Sequence, residues 1–264
     1  VSGLNIRAIK SASQPSTTTQ LSDANAQMVG FAPVWQKRPA VVAKAQLLRA
    51  EVVLITSSQE DISFAQQQGI EYVQLDDTNM VARLRDIARE QSNISHFVYT
   101  VEPASQQHGQ GLITEHHRQI TQLFSVVKLL IAEIGNKRGV KFSLLTRNAQ
   151  TFADTALDYS QSALTGLIGT LANEYPHWHV TMLDISLDDK LFDIFPIIQS
   201  GDLPSGEQHL LRDGIFYHNR LLPIENFNLS QDAPQSEDQL YRQNGIYVVI
   251  GGSGGLGQAW TRHL

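Results

Sequence analysis

"EVVLITS", Glu51 to Ser57, is a short β-branched run that carries no charge after its first residue. Runs of this kind are buried on both faces of a parallel sheet. Two more follow, "SHFVYTV" from Ser95 to Val101 and "VKFSLLT" from Val140 to Thr146, while "HVTMLDI" from His179 to Ile185 alternates more cleanly. Helical patterns separate them. One places Ile120, Leu123, Phe124, Val127, Leu130, Ile131 and Ile134 on a single stripe, opened by Thr114 and closed by Gly135. Another carries Ala156, Tyr159, Ala163, Leu167 and Leu171 at helical spacing before Pro176. Strand alternating with helix predicts an α/β fold with a doubly wound sheet. No repeat of solenoid period and no heptad run competes with that reading.

Composition narrows the function classes. At 264 residues the chain holds one large or two small domains. A net charge of -6, with basic residues scattered apart from Lys137-Arg138, leaves no electrostatic footprint for nucleic acid or anionic lipid, so neither is an expected partner. The absence of cysteine excludes disulfides, thiolate catalysis and cysteine-type zinc sites, and suits a reducing cytoplasm. Leu123 to Ile134, the most apolar stretch, contains Lys128 and Glu133 and is too short to cross a bilayer. The opening "VSGLNIRAIK" lacks a secretory core, and with the halt at Leu264 it suggests a piece of a longer chain.

Polar stretches mark the boundaries. "SASQPSTTTQLSDANAQ", Ser11 to Gln27, has almost nothing to bury and reads as part of a linker over 11–30. "NLSQDAPQSEDQ", Asn228 to Gln239, lies in a second linker over 228–245. The body between them is one domain over 31–227, followed by a closing motif over 246–264.

That motif is "YVVIGGSGGLGQAWTRHL", Tyr247 to Leu264. A strand-like run leads into Gly251, Gly252, Ser253, Gly254, Gly255, Leu256 and Gly257, and helix formers follow. Gly252, Gly254 and Gly257 satisfy G-x-G-x-x-G; Gly251, Gly255 and Gly257 satisfy the G-x-x-x-G-x-G spacing of short-chain reductases. Without Cβ atoms the backbone turns tightly and approaches a pyrophosphate, whose charge meets the N–H groups at the helix start. The same letters contain Gly251-x-Ser253-x-Gly255, a nucleophile elbow. That alternative needs an acid and a histidine downstream, and His263 is too near to fold back. A glycine turn with a purely packing role is the plainest alternative. The strand also lacks parallel neighbours, so residues after about Gly251 are expected to be poorly ordered unless something covers them.

Chemistry beyond the loop is sparse. No tyrosine from Tyr72 to Tyr247 has lysine four places on, so the Tyr-x-x-x-Lys acid of reductases is missing and no catalytic residue is assigned. His177 and His179 flank Trp178 without an evident third ligand, and the adjacent His116 and His117 point apart on a helix, so no metal is expected. Asp76-Asp77 could grip a ribose, but the turn from Ser57 to Asp61 carries no glycine fingerprint, which makes these acids a loop or cap. Glu174 ends its helix where negative charge is unfavourable, which points to a specific partner or else a plain surface carboxylate.

Several stretches together resemble the ketoreductase domain of modular (type I) polyketide synthases. They are "GFAPVWQKRP" around Trp35, "SALTGLIGTLANEYP" with Ala163, Gly166, Leu167, Thr170, Leu171, Glu174 and Pro176, "DGIFYHNRLLPI" around Arg220-Leu221, and "NGIYVVIGGSGGLG". The resemblance implies a structural subdomain, a truncated Rossmann-like fold that binds no cofactor, over 31–227. It also implies the first strand, glycine-rich loop and part-helix of a catalytic subdomain, an incomplete second Rossmann unit, over 246–264. That second half binds NADPH in the family and reduces a carrier-bound β-ketone, with Gly251 to Gly257 as the cofactor loop. Ile250 departs from the threonine usual before the first glycine. "VSGLNIRAIK", residues 1–10, is similar to the tail of a preceding dehydratase domain, and "YRQNGIYVVIGG" to assembly lines with a separate acyltransferase. Leu187-Asp188-Asp189 spells the family's stereochemical marker outside the half where it belongs, so it reads as a turn or helix start.

Implied partners are the catalytic subdomain, neighbouring synthase domains and an acyl carrier protein. The chain alone is expected to be inactive and to bind no cofactor tightly. The alternative is a non-catalytic interaction or spacer module within a multidomain synthase.

Overall fold

The structure is a computed structural model that describes residues 31–38, 51–91, 93–102, 110–152, 157–200, 202–223, 245, 247, 249 and 254–263. The segments proposed for 1–10 and 11–30, most of 228–245, and Gly251, Gly252 and Ser253 lie outside the described residues. Two compact units divide the chain, one spanning Val34–Arg220 and another that includes Leu221–Leu264.

The first unit is built on an eight-stranded sheet. In chain order the elements are β1 (Phe31–Lys37), β2 (Val52–Thr56), α1 (Gln59–Gln68), β3 (Glu71–Gln74), α2 (Met80–Glu90), β4 (His96–Thr100), α3 (Gln110–Ile134), β5 (Lys141–Arg147), α4 (Leu164–Glu174), β6 (His179–Ile185), α5 (Leu191–Ser200), β7 (Gln208–Arg212) and β8 (Ile215–Pro223). The sheet order is β1-β8-β7-β6-β5-β4-β2-β3. Pairings from β3 through β2, β4, β5 and β6 to β7 are parallel, and β7 with β8 is antiparallel. After β2 the chain lays β3 on one side, then returns to place β4 on the other. This reversal is the switch point where open α/β sheets bind ligands, outside the carboxyl ends of the strands.

The apolar run from Val52 to Thr56 explains this placement. Every residue of β2 and of β4 is buried. Val53 and Ile55 face a core built with α2, α3 and α4, whereas Val52 and Leu54 face a second core built with α1 and α5. Successive strand residues point to opposite faces, so a strand sandwiched by helices must be apolar throughout. The predicted doubly wound α/β architecture is what the chain forms.

Two helices depart from the expected pattern. α3 begins at Gln110 rather than near Thr114, and Phe124 is 52% exposed while Val126 is buried in its place. α4 begins only at Leu164 and buries Leu164, Thr165, Ile168 and Leu171. Tyr159, placed on its stripe by spacing, sits in the preceding turn at 63% exposure, and Ala156 lies outside the described residues. That turn is held by polar bonds: Asp158 accepts from the Ser160 backbone N–H at 3.0 Å and from Gln161 Nε2 at 2.7 Å. Asx chemistry of this kind displaces helix.

In the second unit, α6 (Gly255–His263) follows Gly254. Residues 254–263 were expected to lack order without cover, yet they are helical. Helix hydrogen bonds are local, here with Gln258 N donating to Gly254 O at 2.8 Å, and need no sheet neighbour. Burial is what α6 lacks, since Leu256 is 91% exposed and Trp260 is 54% exposed. No helix among the described residues is long and apolar enough to cross a membrane.

Candidate functional site

The switch point is the first place to look for a ligand site. β2 ends at Thr56 and β4 at Thr100, both buried, and Ser58 caps α1 immediately above. Ser58 Oγ accepts from the Asp61 N–H at 3.3 Å, a capping arrangement that fixes the first turn. The Asp61 side chain is then directed into the crevice and is 2% exposed. Thr100 Oγ1 lies 2.7 Å from Asp61 Oδ2 and 2.7 Å from Thr56 Oγ1, and Thr56 Oγ1 lies 3.3 Å from Oδ2. Thr56 Oγ1 also accepts the Ser58 N–H at 3.0 Å.

Arg147, the last residue of β5, completes the group. Its Nη2 is 3.7 Å from Asp61 Oδ1, and its Nη1 donates to the Asp189 carbonyl at 2.7 Å. Burial pushes the Asp61 carboxyl above its usual range, opposed by the hydrogen bond from Thr100, the Arg147 charge and Thr56. The crevice is thus closed by the chain's own acid. None of these four residues stood out in the sequence as functional.

A second polar cluster lies across β6. Asp184 Oδ1 accepts from Thr146 Oγ1 at 2.6 Å and Ala149 N at 2.9 Å. Its Oδ2 accepts from Arg212 Nη2 at 2.5 Å and Gln150 N at 3.3 Å. Asp184 and Arg212 are both buried, so this pair ties β6, β7 and the loop after β5 together. Asn148 turns that loop at φ 51°, a left-handed conformation that asparagine tolerates.

His96, His116 and His177 each bond within the fold. His116 Nδ1 lies 2.9 Å from Ser160 O, and His177 Nε2 lies 2.7 Å from Gly135 O. His96 Nε2 contacts Ser143 Oγ at 2.8 Å, which contacts Thr181 Oγ1 at 2.7 Å, a buried polar ladder across β4, β5 and β6. No group of acids and histidines able to hold a metal occurs among the described residues. Asp77 Oδ1 accepts from Asn79 N at 2.8 Å in the turn before α2, the loop alternative of the loop-or-cap reading. Asp189 Oδ2 accepts from Ser186 N at 2.8 Å in the turn before α5, as the Leu187-Asp188-Asp189 placement implied. Glu174 is exposed at the end of α4.

Of the predicted cofactor loop, Gly254, Gly255, Leu256 and Gly257 are described. Gly254 precedes the first turn of α6, and a Cβ placed on Gly255 would meet nothing within 4 Å. The first N–H groups of a helix have no acceptors within it, and here they follow Gly254, which has no side chain. That donor set fits a phosphate.

No protein-family profile matches the chain. Among curated proteins, it is 27% identical over 161 residues to Polyketide synthase PksN of Bacillus subtilis (strain 168), covering 59% of this chain and 3% of that one. Against Polyketide synthase PksM of the same organism the identity is 25% over 239 residues, covering 88% of this chain and 5% of that one. The chain therefore spans only a small part of the curated relatives it matches. Among solved structures it is similar to an adenylation, ketoreductase and pseudo Asub multidomain structure of a keto acid-selecting NRPS module, with a TM-score of 0.67 at 16% identity over 90% of this chain and 22% of that one. It is also similar to a C2-type ketoreductase from a modular polyketide synthase, with a TM-score of 0.50 at 18% identity over 73% of this chain and 42% of that one.

Proposed function

We propose, from its likeness in sequence to polyketide synthases and in fold to structures that contain ketoreductases, that the chain is the structural half of a polyketide synthase ketoreductase together with the start of the catalytic half, and that it works in the cytoplasm. Its role is to brace the catalytic half for NADPH-dependent reduction of a carrier-bound β-ketoacyl chain to the β-hydroxyacyl product. The observation that carries this reading is the switch point of the large sheet, which Asp61 fills where a nucleotide-binding sheet has an open glycine loop. A sheet closed in this way supports rather than binds.

The glycine segment is the part of the chain that would face the cofactor. Backbone N–H groups from Gly251 to Gly257 and the first turn of α6 would hold the cofactor's pyrophosphate. NADPH, when bound, supplies the hydride. Ile250 offers no hydroxyl to steady the loop. Protonation of the alkoxide falls to groups outside this sequence, because no Tyr-x-x-x-Lys is present. Neighbouring synthase domains and the acyl carrier protein are the partners of this reading.

The test is an NADPH fluorescence titration of this chain beside the same chain extended through the next α/β unit of its gene. The expected result is no measurable binding by the first and saturable binding with ketone reduction by the second. Tight NADPH binding by this chain, or an extension without a second Rossmann unit, overturns the proposal; the latter result would favour a spacer module.

A further inference from the structure

At a switch point the strand ends and the first turn of the next helix converge on whatever occupies the crevice. Here the convergent groups are unusual for such apolar strands. Thr56 is 0% exposed and Thr100 is 1% exposed, and each is the last residue of its strand. Thr100 Oγ1 lies 2.7 Å from Thr56 Oγ1, so one proton ties the two hydroxyls together and the other has to find a further acceptor or cost desolvation. From the third strand, Arg147 turns a cation toward the same point with its side chain 12% exposed. A hydroxyl pair with one proton to give and a guanidinium, drawn from β2, β4 and β5, form a donor set suited to an anion.

We propose that Thr56, Thr100 and Arg147 form a latent phosphate-binding site, and that the Asp61 carboxylate is the built-in anion that fills it. The geometry separates this from simple helix capping. The capping bond of α1 is made by Ser58 Oγ, and it leaves the Asp61 carboxylate free to turn inward. Asp61 Oδ2 takes the hydroxyl side of the crevice and Oδ1 the guanidinium side. A phosphate placed there presents oxygens to the same two sides. Because the aspartate is tethered in the first turn of α1, it occupies the position without the entropy cost of capturing a free ion. This inference concerns the large sheet alone and does not rest on the proposed reductase role.

The test compares the wild-type chain with Asp61→Ser, Arg147→Gln and the double variant. Inorganic phosphate is titrated and followed by phosphorus NMR line width and by thermal melting. Asp61→Ser is expected to bind phosphate at least about tenfold more tightly than wild type, and the double variant to lose that gain. Should Asp61→Ser fail to fold in plain buffer, phosphate is expected to restore its circular dichroism at concentrations that leave the double variant unfolded. Comparison with the double variant removes the general stabilisation that phosphate gives any protein. Phosphate binding equal in wild type and Asp61→Ser overturns the proposal, as does an Asp61→Ser chain that phosphate neither binds nor refolds.

Discussion

Arg212 and Asp184 show how much a single buried contact controls. Among the described residues the Asp184 carboxylate has four hydrogen-bond partners, one of them the Arg212 guanidinium. Replacing Arg212 by leucine removes the cation and leaves the anion buried, which costs about 3–5 kcal/mol for a pair of this type. Urea unfolding is expected to show that loss in the midpoint with the slope unchanged; a midpoint within error of wild type would show that Asp184 has found water instead. The histidines set a second, gentler dependence. Burial, with help from the charges of Lys141 and His179, lowers His96 to about 3. Burial likewise lowers His209 to about 4, against the carbonyl of Pro204. Both are neutral in the fold and protonate in the unfolded chain near 6.5, so their contribution is complete above 6.5 and is lost as pH falls toward 4 and 3. Asp61 runs the other way: its raised pKa favours the fold at acid pH, and that share is lost as pH rises through it. Stability measured at pH 7 and pH 5 is expected to fall by on the order of 1 kcal/mol per pH unit per histidine, and His96→Gln to flatten the slope. Equal stability at the two pH values for wild type would refute the assignment.

Elements differ in how plainly the sequence announces them. β2, β4 and β5 were legible because a strand covered on both faces has to be apolar at consecutive positions, a pattern solvent-facing segments do not share, and β6 was legible for its cleaner alternation. α3 was legible for its stripe but not its length, since a long helix extends past its buried part once the first turns have formed. α4 misled because its spacing continued into a turn whose shape is set by Asp158, Ser160 and Gln161 rather than by apolar contact. α1 is bounded by unambiguous chemistry at both ends. Ser58 caps its start, and Gly69 closes it at φ 67°, with its N–H bonded to Gln66 O at 3.3 Å. A β-branched side chain resists that left-handed conformation, so Gly69→Val is expected to lower stability by about 1–2 kcal/mol. A thermal melt is the direct check, and an unchanged melting temperature would mean the cap had rearranged.

At the scale of the molecule, the architecture could be read from the order of its elements, but the crevice could not. Thr56, Asp61, Thr100 and Arg147 become neighbours only through the crossover that carries the chain from β3 back past β2 to β4. Nothing in a linear pattern says which strands will be adjacent at a reversal. The glycine loop was the opposite case, visible at once because its chemistry is local, although what it holds depends on elements beyond it. β1 and β8 lie side by side at the far edge of the sheet, with the Arg38 N–H donating to Phe216 O at 2.8 Å. The first and last strands of the sheet are therefore neighbours on one flank. A segment so arranged can be lifted from one long polypeptide and grafted into another through a single seam, without threading and without stretching the host on either side.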